Sequence, residues 1–162
     1  MPKSQKNTDA LYTLEVFIIG GPVTEKFTKK NPVISRTIQI CGNQTLEDLH
    51  EAIFDAFDRH DSHMYQFELN GSGPGDPKAD KYVLPMEMES IFGDDRPAGF
   101  VTKTKIASLN LQIDQAFGYW FDFGDDWWHQ INVVGIEENN ATTGKYPKVT
   151  KSVGASPPQY PR

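Results

Sequence analysis

The stretch that decides the fold is Phe117-Gly-Tyr119-Trp-Phe121-Asp-Phe-Gly-Asp125-Asp-Trp127-Trp-His129-Gln-Ile131. Ala116 to Phe123 reads as a strand, Gly124-Asp125-Asp126 supplies residues favoured in tight turns, and Trp127 to Glu137 reads as the returning strand. Residues two apart in a strand share a face. Trp127 and His129 should therefore point together and Trp128 the other way. Aromatic residues on both sides of such a hairpin are expected of a strand pair buried inside a sheet.

Upstream, Leu11 to Ile19 alternates and then runs apolar until Gly20-Gly21-Pro22 stops it, and Val33 to Cys41 repeats the pattern with Ile34, Ile38 and Ile40. The polar segment between them is too short for a crossover helix with its linkers, so the two strands should pair antiparallel. Thr45 reads as an N-cap followed by Glu47 and Asp48, whose carboxylates complement the helix dipole. Leu46, Leu49, Ile53, Phe54 and Phe57 then form one apolar stripe, which predicts the main helix over about residues 45–58. After the breaker Arg59-His60-Asp61-Ser62, His63 to Leu69 alternates as a third strand with Tyr65, Phe67 and Leu69 on its core face. Asn70 to Lys81, with three glycines and two prolines, is a surface loop. Tyr82 to Ile91 carries a short strand or helix, Gly93 to Gly99 is an acidic loop, and Thr104 caps a short helix with Ile106 and Leu109.

The expected fold is thus α+β: a β-β-α-β opening, then a β-hairpin, in a mixed or mostly antiparallel sheet with one long helix packed on a face. Residues 1–10 are expected to be a flexible N-terminus and 11–138 a single domain. Residues 139–162, rich in Pro, Ser and Thr, form an extended segment that wraps the domain or trails from it.

A chain of 162 residues can bury a sizeable core without a metal or disulfide. The single cysteine, Cys41, has no internal partner and reads as a small buried residue closing a strand. With no apolar run for a signal peptide or a membrane span, the expectation is a soluble, cytoplasmic protein that does not engage a membrane. The net charge of −6 argues against a general nucleic-acid coat. Charge is uneven, with 13 acids against 4 bases from Gly42 to Phe100, whereas the segment from Asn139 carries only Lys145, Lys148, Lys151 and Arg162. Those lysines are where a nucleic acid would be held, and that segment equally suits the chain's own acidic middle.

Three carboxylates, an imidazole and two indoles crowd the turn from Phe121 to His129. Asp and His are ligands of hydrolytic divalent-metal sites, so Asp122, Asp125 and His129, joined by His63, admit a metal if their side chains converge. The plainer reading is that turn carboxylates bond neighbouring amides and His129 sits satisfied in the core. The sequence contains no HExxH, CxxC or GxSxG pattern, and the glycines of residues 71–75 lack the register of a phosphate cradle. No cofactor is predicted. The favoured reading is a non-catalytic binding domain whose recognition surface comprises His63, Tyr119, Asp122, Asp125, Trp127 and His129, with an unknown protein or peptide as partner.

Several runs carry a resemblance. Ser35-Arg-Thr-Ile38, Thr45-Leu-x-x-Leu-His50, His63-Met-Tyr-x-Phe67, the Asp122-Phe-Gly-Asp125-x-Trp127-x-His129 run, Tyr146-Pro147 and Gly154-Ala-Ser-Pro-Pro158 resemble the Ri-plasmid open-reading-frame-three-like family, over nearly the whole chain. The resemblance implies an α+β domain with no established activity and an association with mobile elements by genomic company. Many members carry Trp at the position of Ser35 and a cysteine pair at the positions of Val149 and Ser156, so a thiol-metal mechanism found in a relative has no ligands here.

Overall fold

A computed structural model describes residues 9–85, 96–138 and 144–161. Its frame is an eight-stranded sheet: β1 (Leu11–Gly20), β2 (Ser35–Cys41), β3 (Tyr65–Leu69), β4 (Asp80–Val83), β5 (Gly99–Phe100), β6 (Ala116–Phe121), β7 (Trp127–Glu137) and β8 (Lys148–Val153). Across the sheet they run β5-β4-β3-β6-β7-β1-β2-β8, antiparallel except for the β4–β5 pair. The sequence-predicted first hairpin is present, Leu14 facing Ile38 and Val16 facing Arg36. The decisive hairpin is present as well, with Tyr119 opposite His129 and Trp120 opposite Trp128. It lies mid-sheet, β6 pairing onward to β3 and β7 to β1.

Two helices accompany the sheet among the described residues. The expectation of one long helix is corrected: α2 spans Leu46–Ala56, and a six-residue α1 (Glu25–Lys30) sits in the link between β1 and β2. The start of α2 follows the sequence reading, since Thr45 Oγ1 accepts from the Asp48 amide at 3.2 Å and Asp48 Oδ2 accepts from the Thr45 amide at 2.9 Å. Its end comes early because Phe57 leaves helical geometry and Asp58 turns to φ 57°. Leu46, Leu49 and Ile53 are buried against Tyr12, Leu14, Val16, Ile38, Phe67, Tyr119 and Ile131 from the sheet, which together form the core.

Two further expectations change. Thr104 does not cap the 3₁₀ turn Ile106–Leu109; Lys105 occupies that position without a side-chain bond, and Thr104 Oγ1 donates to the Phe100 carbonyl at 2.7 Å. The element foreseen within Tyr82–Ile91 is β4, which starts at Asp80, and residues 86–95 lie outside the described residues. The C-terminal segment contributes β8 at a sheet edge, where Ile38 faces Val149. Arg36 secures it, donating through Nη1 to the Val153 and Gly154 carbonyls at 3.1 Å each. Among the described residues no helix is long and apolar enough to cross a membrane.

Candidate functional site

Strand alternation splits the Phe117–Ile131 hairpin into two sides. Phe117, Tyr119, Phe121, Trp127, His129 and Ile131 face α2 and are buried. Trp120 and Trp128 face the other way, half-exposed. Four of the sequence-predicted surface residues are therefore buried, Tyr119, Trp127 and His129 at most 1% exposed and Asp122 6% exposed.

On the buried side the polar groups form a chain. Arg59, two residues beyond the C-cap of α2, donates through Nη2 to His129 Nε2 at 2.9 Å. Nε2 is thereby an acceptor, which puts the imidazole proton on Nδ1, 3.1 Å from the Tyr119 carbonyl. Burial first and the Arg59 charge second hold His129 well below the usual histidine range, so it is neutral. The Tyr119 hydroxyl meets His50 Nδ1 at 2.6 Å, and the His50 ring stacks on Tyr65 at 3.6 Å between centroids. Burial, helped by the Arg59 charge, pushes His50 down to about 4. Arg59 itself is pushed down to about 10 by burial, against the opposing influence of Tyr119 and Asp122, and remains a cation at neutral pH. Its guanidinium carbon lies 4.9 Å from the Phe121 ring centre and 4.8 Å from that of Trp127. In the sequence Arg59 stands in a helix-breaking run, and no local signal marks it for burial.

One of the turn carboxylates serves the backbone. Asp122, at φ 63°, accepts through Oδ1 from the Gly124 and Asp125 amides at 3.1 and 3.2 Å. Its Oδ2 lies 3.3 Å from His63 Nε2, and the same nitrogen meets the Tyr160 hydroxyl at 2.7 Å. Asp122 and His63 thus come together, whereas Asp125 is exposed at the tip and His129 is turned to Arg59. The three candidate metal ligands do not converge, and no group of three or more His, Cys, Asp or Glu side chains among the described residues is placed to hold an ion.

The outward side is an aromatic platform. Trp120 and Trp128 stack at 4.8 Å between ring centres with 8° between planes, and Phe123 packs on Trp120 at 4.2 Å. Asp126 Oδ1 accepts from the Trp120 indole Nε1 at 2.9 Å and fixes its orientation. Ile19, at 49% exposure, extends the apolar surface on β1. Lys148 and Lys151 are exposed on β8 at the far edge of the sheet, with Lys145 exposed just before it, away from this platform in strand order.

Residues 24–160 match the family described as plasmid pRiA4b ORF-3-like protein, and the chain belongs to that family. It is 26% identical over 131 residues to an uncharacterized protein, y4hQ, of Sinorhizobium fredii, the match covering 79% of this chain and 59% of that relative. The chain thus spans less than two thirds of this relative's length. It is also similar to the crystal structure of MM3350, a protein of unknown function from Methanosarcina mazei Go1, with 27% identity and a TM-score of 0.66 over 88% of this chain and 69% of the other.

Proposed function

We propose that this protein is a non-catalytic binding module that takes a protein or extended peptide on the solvent side of the β6–β7 hairpin. The observation that carries this reading is the Trp120–Trp128 stack, extended by Phe123 and oriented by Asp126. Stacked indoles present a large, rigid contact area at low entropy cost, which is why Trp anchors interfaces. The buried histidines are engaged within the core: His129 is locked between Arg59 and a backbone carbonyl, and His50 of α2 against Tyr119. A cytoplasmic setting fits the free, buried Cys41. The association with mobile elements belongs to the same proposal and stands on resemblance.

The test is a peptide-display selection on immobilised protein, followed by affinity measurements of the enriched peptides on Trp120→Ala and Trp128→Ala. At least tenfold weaker binding to both variants, with folding intact by circular dichroism, supports the reading. Enriched peptides that bind wild type and both variants equally place recognition elsewhere and sink it.

A further inference from the structure

A groove of about 120 Å³ opens on the same solvent side, bordered by Ile19, Glu68, Pro74, Gly118 and Gln130. Strand geometry makes it continuous with the aromatic platform, because Gly118 precedes Trp120 and Gln130 follows Trp128 at the two-residue spacing of one face. Gly118 leaves the floor open by lacking a side chain. A loop forms one wall: residues 71–74 fold over β3, and the Gly75 amide donates to Glu68 Oε1 at 3.0 Å.

Glu68 is the unusual component. Its side chain borders the groove, yet the residue is only 5% exposed, and its hydrogen bonds come from neutral donors, Gly75 and Gln66 Nε2 at 2.7 Å. The cation directly across the ladder is Lys81, whose Nζ turns instead to the carbonyls of Asp76, Pro77 and Ala79 at 3.4–3.5 Å. Among the described residues Glu68 makes no salt bridge. A nearly buried carboxylate satisfied only by neutral donors gains most from a cation delivered into its site.

We infer that the groove receives a lysine or arginine side chain of the partner, its charged end on Glu68 and its aliphatic stem along Ile19 and Trp128. This rests on the proposed binding role of the same face and names the chemistry of the partner, a basic peptide segment. The excess of acids over bases from Gly42 to Phe100 favours the same partner at longer range.

The test is heteronuclear NMR on the full chain, titrated with tetralysine, tetraarginine, an uncharged peptide carrying norleucine, and free butylamine. The expected result is saturable shifts of the Gly118 and Gly75 amides and the Trp128 indole with a basic peptide, at least tenfold weaker in Glu68→Gln and unchanged in Asp55→Asn on α2. Gly118→Val keeps the carboxylate but fills the groove. A Cβ there meets its neighbours at 3.8 Å or more, so the added bulk points into the groove; with folding checked by circular dichroism, the variant should also lose binding. Shifts with butylamine but not with peptides would assign the groove to a small amine and overturn the peptide assignment. Binding of wild-type strength by Glu68→Gln and Gly118→Val, or no saturable shift with either basic peptide at millimolar concentration, overturns the inference. Norleucine-peptide shifts confined to Trp120 and Trp128 and indifferent to Glu68 would leave the binding module standing while this inference fails.

Discussion

Arg59 and His129, 70 positions apart in sequence, are joined inside the core by a 2.9 Å bond from the guanidinium Nη2 to the imidazole Nε2. The bond ties the chain leaving α2 to the middle of β7, and it leaves Arg59 a buried cation packed on aromatic rings. Arg59→Ala removes the donor to His129 and opens a cavity among Phe57, Phe121 and Trp127. The expected cost is about 3–5 kcal/mol. Arg59→Met fills the space without burying a charge and should cost clearly less. Urea unfolding of both variants checks this, and a Met variant as unstable as the Ala variant would show that the charge, not the packing, holds the site.

His50 sets a pH dependence. Burial holds the folded imidazole at about 4, below the ordinary value of 6.5. Between those values the unfolded chain binds a proton that the folded chain does not, so this stabilisation is complete above about pH 6.5 and is lost as the pH falls toward 4. The loss amounts to about 1.4 kcal/mol per pH unit at most. His50→Gln retains a partner for the Tyr119 hydroxyl and removes the titration. Unfolding free energies measured from pH 7 to 4 should fall less steeply for the variant, and parallel curves would remove His50 as the cause.

Period-two patterning was enough to foresee the two sides of the decisive hairpin, because alternation is a local property of a strand. Trp127 and His129 point together and Trp128 opposes them, as the spacing requires. Local pattern could not show that residues 71–75 fold back over β3, which buries Gln66 and Glu68 on the side that alternation assigns to solvent. Nor could it show that a cation in a helix-breaking run enters the core. Both depend on contacts between distant segments, as does the return of Tyr160 to His63 across 97 positions. The hairpin segment was accordingly legible in the sequence, while the outward Trp120–Trp128 stack was not, because it depends on the cross-strand register that sets the two indoles side by side.

The β8 edge depends on one glycine. Gly154 has φ 77°, and a Cβ added there would lie 2.4 Å from the Val33 carbonyl oxygen, a backbone atom that cannot swing aside. Gly154→Ala therefore combines a left-handed backbone with a clash and should cost more than 1 kcal/mol. Because Arg36 takes the Val153 and Gly154 carbonyls, the damage should concentrate at the β2–β8 pair. Hydrogen exchange should quicken in residues 148–153 while β6 and β7 stay protected. Uniform quickening across the sheet would mean that β8 belongs to the global folding unit.

The platform can be loosened without touching the core. Asp126 is exposed, stands at φ 57°, and holds the Trp120 indole through one 2.9 Å bond. Asp126→Ala loses that bond and places a less tolerant residue in the left-handed region, an expected cost of about 1–2 kcal/mol. Asp126→Asn keeps both an acceptor and the backbone preference and should stay within about 0.5 kcal/mol of wild type. If the Trp120–Trp128 stack relies on this anchor, acrylamide should quench tryptophan fluorescence more efficiently in the Ala variant and as in wild type in the Asn variant. Buried Trp127 supplies a constant background in all three proteins, so a difference between Ala and Asn reports on the outward pair. Identical quenching in every variant would mean that cross-strand packing alone sets the stack, and Asp126 would then be a turn residue with no part in the proposed recognition surface.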